Sequence, residues 1–129
     1  TISRIVKYFT PVEQDSLRNE LATALRGVIS QRLVPTTDGK SRVPCVEVMI
    51  VNDVVRNLVR ENRIADIEQV IKNGLDDMQS FDQSLSQLVK AGRITVDMGE
   101  QYAEDVAGFR RLCKGVTAST DRSGIIAGF

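Results

Sequence analysis

One stretch of this chain reads as a strand, and it limits what the rest can build. Cys45 to Val51, Cys-Val-Glu-Val-Met-Ile-Val, is short and rich in β-branched residues, the composition that suits a pleated, half-buried surface. Leu33-Val34 lies across a turn marked by Asp38-Gly39 and is a possible short partner. Everything after Val51 carries a helical period or a helix boundary. A chain of this kind cannot form a sheet-dominated domain. It is expected to be mostly helical, with a single short hairpin or strand pair.

Helix boundaries are marked clearly. Thr10-Pro11-Val12-Glu13 combines a capping hydroxyl, a proline suited to the first turn and a carboxylate three residues on that can close a capping box. Leu17, Leu21, Leu25 and Val28 follow as one apolar stripe, which predicts a long helix to about Gln31. Ile2, Ile5, Val6 and Phe9 suggest a shorter helix before it. Downstream, Asn52 caps a helix over about 53–60, and Ile64, Ile67 and Ile71 stripe another that Gly74 ends. Ser80 with Gln83 opens a third that Gly92 closes, Thr95 caps a fourth to about Ala103, and Phe109, Leu112 and Cys113 stripe a last short one. From Val116 the pattern has no period and reads as a mobile tail. There is no internal repeat and no linker between two cores, and 129 residues suit one compact domain.

Composition excludes several classes of function. Seventeen Lys plus Arg balance seventeen Asp plus Glu, which argues against a nucleic-acid sleeve or a polybasic membrane patch. The longest apolar run, Val48 to Val51, is far short of the roughly 20 residues that cross a bilayer. With no histidine, and with only Cys45 and Cys113, a Cys/His zinc cage and a Ser-His or Cys-His catalytic pair are both excluded. Free buried thiols are the expected state of the two cysteines, although a single disulfide is compatible with the sequence. Neither G-x-x-x-x-G-K-[ST] nor G-x-G-x-x-G occurs. Asp76-Asp77 and Glu104-Asp105 are neighbours that point to different helix faces, so they read as solvated or capping residues. Arg4, Arg18, Arg26, Arg32 and Arg42 each read, from pattern alone, as surface residues. No self-contained catalytic site is present in the sequence.

The segment from Val54 to Glu61 divides cleanly. Val54, Val55, Leu58 and Val59 fall within an arc of roughly 140° at about 100° per residue, and Arg56, Asn57, Arg60 and Glu61 fill the opposing arc. One face is expected to dock on a core while the other presents two guanidiniums, an amide and a carboxylate. Read alone, that is a solvated amphipathic helix whose i, i+4 pairs contribute a few tenths of a kcal/mol each.

Arg56-Asn57-Leu58-Val59-Arg60-Glu61 resembles the A-I-R-N-L-I-R-E motif of the PilT-type pilus retraction ATPases, a branch of the secretion ATPase superfamily. Three more stretches agree in order. Ile2 to Phe9, I-S-R-I-V-K-Y-F, resembles the family's R-I-V-D-x-F-P segment. Leu25 to Leu33, L-R-G-V-I-S-Q-R-L, resembles its L-x-x-V-I-S-Q-x-L helix. Met78 to Ile94 resembles its G-M-Q-T-x-D-x-x-L-x-x-L-V-x-x-G-x-I segment. Together the four cover most of residues 1–94. Asp77 stands where the family has Gly, and Thr10 where it has Pro. Assembly and type II secretion ATPases carry a Cys-x-x-Cys pair near the segment after Q-R-L, where this chain has none, which favours the retraction branch. The PilU-type accessory ATPases remain the nearest alternative.

The resemblance implies an α/β parent, a RecA-like P-loop ATPase, of which residues 1–115 are the end of the ATPase domain plus a helical C-terminal subdomain. The P-loop, the Walker B acid and the histidine box are then expected before Thr1. The parent is expected to be a cytoplasmic hexamer at the inner face of the bacterial inner membrane. It would hydrolyse ATP with Mg2+ and pull on pili through inner-membrane basal-body proteins, with no nucleic acid and no membrane insertion. This chain by itself is expected to bind no cofactor, to hold no metal and to be inactive. Arg4, Gln31 and Arg32 are expected near nucleotide or a subunit boundary, and Arg56, Asn57, Arg60 and Glu61 on a coupling or partner face. A free-standing helical interaction domain is the reading from another class.

Overall fold

The computed structural model describes the backbone of residues 2–120 and the side chains of residues 4–115. Seven α-helices and one β-hairpin make up these residues: α1 (Ile2–Lys7), α2 (Pro11–Ala24), β1 (Gly27–Pro35), β2 (Arg42–Ile50), α3 (Asp53–Arg60), α4 (Ile64–Lys72), α5 (Phe81–Lys90), α6 (Val96–Tyr102) and α7 (Val106–Thr120), with a 3₁₀ turn at Leu75–Asp77. Instead of one domain there are two compact units, residues 1–30 with 48–80 and residues 31–47 with 81–129. The chain passes between them through both hairpin strands and between Ser80 and Phe81, so no linker stretch marks the division. Of the expected tail, residues 116–120 continue α7 and residues 121–129 lie outside the described residues.

The helix expected to reach Gln31 stops at Ala24. Leu25 takes an extended conformation (φ −67°, ψ 136°), and Gly27 opens a strand instead. Leu17, Leu21, Leu25 and Val28 all pack on the first core as expected, but Val28 does so from a strand. Gly27 lies so close to the paired strand that a Cβ there would sit 3.1 Å from the Met49 carbonyl oxygen. The hairpin turn is closed by Thr36 and Ser41 (N to O, 3.0 Å), with Gly39 at φ +67°. On its other edge β2 gains a short third partner, because Val48 and Gln79 exchange backbone hydrogen bonds of 2.9 and 3.1 Å.

The first unit packs α2 against α3 over a core that includes Ala22, Met49, Val51, Val55, Val59 and Ile71. Helix α2 begins with the expected box: the Glu13 carboxylate accepts from the Thr10 N–H (3.0 Å) and hydroxyl (2.6 Å). Helix α3 is capped by Asn52, whose side chain accepts from the Val55 N–H, and it ends with Asn62 in the left-handed region (φ 58°). There the Asn62 and Arg63 amides close back on the carbonyls of Val59 and Leu58, a Schellman ending built on asparagine. Gly74 (φ 68°) ends α4, and two further left-handed residues follow, Asp76 (φ 54°) and Asp77 (φ 61°).

The second unit gathers Val34, Cys45, Phe81, Leu85, Ile94 and Phe109 into its own core under α5, α6 and α7. Gly92 (φ 68°) gives α5 the same Schellman ending, through Gly92 to Val89 and Arg93 to Leu88. Gly99 in α6 lets Phe109 of α7 approach closely: a Cβ on Gly99 would lie 2.3 Å from the Phe109 ring. Both thiols are free; Cys45 is buried, whereas Cys113 is only partly so. Burial pushes both thiols upward in pKa.

Candidate functional site

Helix α3 buries Val55, Leu58 and Val59, but Val54, expected on the same docked face, is 52% exposed. The helix therefore seats a narrower stripe than its periodicity suggests and leaves an apolar side chain beside its polar residues.

Its polar residues divide into two roles. Arg56 turns inward, with its side chain 21% exposed. One guanidinium nitrogen donates to the Ala22 carbonyl at 2.7 Å and the other to the Val51 carbonyl at 3.3 Å. Ala22 lies in the last turn of α2, where carbonyls lack an intrahelical partner and a positive charge is favoured. Arg56 thus ties α3 to the end of α2 and to the strand exit. Asn57, Arg60 and Glu61 are exposed, and Arg60 has no ion-pair partner among the described residues. Glu61 lies 3.5 Å from Arg63, which pairs more closely with Asp66 at 2.8 Å. The outward surface of α3 is therefore Val54, Asn57, Arg60 and Glu61.

Arg4 is exposed on α1 in the same unit. Gln31 and Arg32 belong to β1 in the second unit. Gln31 is exposed, and Arg32 is held by its neighbours: its guanidinium carbon stands 4.2 Å from the Phe81 ring centroid and one nitrogen is 2.7 Å from Glu104. Beside this clamp, buried Asp82 accepts the backbone N–H groups of Glu104 (2.8 Å) and Asp105 (2.9 Å), and Asp105 in turn accepts from the Gly108 N–H at the start of α7. Glu104-Asp105 is thus half ion pair and half cap. Nothing in the sequence announced Asp82; the F-D spacing after Met-Gln-Ser was the available signal. Arg18, expected at the surface, is buried on α2 beside Ala22, because the buried line of that helix lies one residue around from the leucine stripe.

Among the described residues no group of three or more His, Cys, Asp or Glu is placed to hold a metal ion. The chain has no glycine-rich phosphate loop either. These residues fit neither ATP nor Mg2+ in the way a P-loop enzyme holds them. No helix among the described residues is long and apolar enough to cross a membrane. The strongest electrostatic features are exposed pairs: Arg110 grips Glu100 with bonds of 2.6 and 2.8 Å and holds that carboxyl below its usual range.

No family model matches the chain. It is 42% identical over 106 residues to a twitching motility protein of Neisseria gonorrhoeae, which covers 81% of this chain and 28% of that protein. Against the type IV pilus retraction ATPase PilT of Pseudomonas aeruginosa, identity is 35% over 105 residues, covering 81% and 30%. The pilus ATPase PilU of the same organism is 29% identical over 114 residues, covering 88% and 30%. In backbone the chain matches the crystal structure of the pilus retraction motor PilT with bound ADP at a TM-score of 0.73 and 34% identity, over 85% of this chain and 30% of that one. The chain thus spans about three-tenths of the length of the relatives it matches. By sequence and by backbone alike, it is a relative of the PilT-type pilus retraction ATPases over that share of their length.

Proposed function

We propose that this chain is the C-terminal portion of a hexameric, ATP-driven motor of the PilT type that powers type IV pilus retraction and twitching motility. The observation that carries the reading is the 42% identity to a twitching motility protein over 106 residues. ATP and Mg2+ are assigned to the parent outside this chain, because no residue set here suits them. The isolated chain is expected to be inactive. The motor would act in the cytoplasm at the inner face of the inner membrane, engaging basal-body proteins there.

Within that reading the outward face of α3 transmits force or meets a partner. Val54, Asn57, Arg60 and Glu61 combine an exposed apolar side chain with a free guanidinium, a mixture suited to a polar-rimmed interface. Arg56 serves the fold of the first unit. Arg4 and Gln31 stay as candidates for a nucleotide or subunit boundary, and Arg32, already neutralised by Glu104, is the weaker of the group. The PilU-type accessory motor is the second reading, carried by 29% identity over 88% of the chain.

The test uses the full-length motor. Asn57→Ala with Arg60→Ala is expected to leave ATP turnover within about twofold while abolishing twitching, since an interface contact is lost but no phosphoryl-transfer group is. Turnover falling in step with motility would overturn the coupling role. A full-length parent without ATPase activity would overturn the motor reading itself.

A further inference from the structure

The first unit contains a pocket of about 290 Å³, lined by Val6 and Lys7 of α1, Gln14 and Arg18 of α2, and Asn62 and Ile64 at the α3–α4 corner. Arg18 is the unusual member. Its side chain is only 10% exposed, yet its Nε is buried without any hydrogen-bond partner. One terminal nitrogen pairs with Asp15, whose own side chain is 82% exposed. A guanidinium has five N–H donors, and a buried one that meets a single exposed carboxylate is under-satisfied. Lys7 adds a second positive charge to the same wall. The nearest competing carboxylates, Glu61 and Asp66, are engaged by Arg63. Gln14 is tied to the Phe9 carbonyl at 2.9 Å, which fixes its amide beside the opening.

We propose that this pocket binds a small phosphate-class oxyanion between Arg18 and Lys7. The volume is several times the roughly 30 Å³ share of one water, enough for a tetrahedral ion with part of its hydration. The apolar floor, Val6 and Ile64, limits access by bulk water and so strengthens the charge–charge attraction. The pocket has no glycine-rich loop and no carboxylate placed for Mg2+, so it is not a nucleotide triphosphate site. The inference stands apart from the motor reading, because it concerns only residues of this unit.

The 129-residue chain is titrated with inorganic phosphate against sodium chloride of equal ionic strength. Two signals are followed, the midpoint of thermal unfolding and the Nε–H resonance of Arg18. The expected result is a saturable rise in midpoint and a resonance shift with the same half-saturation. Lys7→Met is expected to weaken that half-saturation on the order of tenfold, the loss of one charge-assisted contact. Lys40→Met, on the hairpin turn of the other unit, is expected to leave it unchanged. Arg18→Lys is the direct test if it folds, and Lys7→Met with the resonance decides the matter if it does not. An unsaturable response, an Arg18 resonance that does not move, or equal half-saturation in Lys7→Met would each overturn the proposal.

Discussion

Replacing Arg56 by alanine is expected to destabilise the first unit by about 2–3 kcal/mol, and the structure sets that figure. The 2.7 Å bond to the Ala22 carbonyl is a charged donor on a backbone acceptor, a class of interaction that contributes about 1.5–3 kcal/mol. At 3.3 Å the bond to the Val51 carbonyl adds less. The approach to Asp53, 3.8 Å from a fully exposed carboxylate, adds nothing measurable. Alanine also leaves Ala22, itself wholly buried, with a terminal-turn carbonyl that has lost its partner. Arg56→Lys can reach one carbonyl but not both, so it should recover roughly half of the loss. Urea unfolding of the chain, followed by a probe in α2 or α3, is the assay. At a slope of about 1–3 kcal/mol/M the alanine midpoint should fall by about 1–2 M. Arg60→Ala, on the exposed side of the same helix, should stay within about 0.5 kcal/mol of the unsubstituted chain. Equal costs for the two arginines, or an Arg56→Ala cost under about 0.5 kcal/mol, would refute the assignment of Arg56 to the fold.

Three further outcomes follow from particular contacts. Gly99→Ala places a methyl group 2.3 Å from the Phe109 ring and should cost at least about 1–3 kcal/mol in thermal or chemical unfolding. Asp77→Gly should stabilise the chain by about 0.5–1 kcal/mol, because φ 61° strains an aspartate and not a glycine, with part of the gain offset by unfolded-state entropy. The capping box predicts a pH effect. The hydrogen bond from the Thr10 hydroxyl, and then that from its backbone N–H, hold the Glu13 carboxyl below its usual 4.5. Its stabilisation is therefore full above that value and lost as pH falls through the folded-state pKa. The melting-temperature difference between the unsubstituted chain and Glu13→Ala should accordingly be constant near neutrality and shrink in acid.

The family resemblance was legible because its motifs are largely instructions for the fold. In R-N-L-V-R-E, Arg56 ties two helices, Leu58 and Val59 enter the core, and Glu61 precedes the left-handed Asn62. In M-Q-S-F-D, Met78 fills one core, Gln79 pairs with β2 through its backbone, Phe81 fills the other core and Asp82 caps the approach to α7. The roles within the motifs were less legible. A helical wheel places Arg56 with Asn57 and Arg60, but a long side chain can turn toward any acceptor its neighbours provide, and the end of α2 provides one.

Caps, turns and stops were determined by the sequence, because they depend on residues within a few positions of one another: Thr10 with Glu13, Asn52 with Val55, Gly39, Gly74 and Gly92 at positive φ. The end of α2 was decided by tertiary structure. Leu25 and Val28 satisfy a helical stripe and a path into a strand equally well. Only pairing with β2, distant in sequence, makes the extended form of residues 27–35 the one with satisfied backbone groups. The burial of Arg18, the clamp on Arg32 and the separation into two cores have the same origin, since each depends on side chains that meet only after the chain has folded.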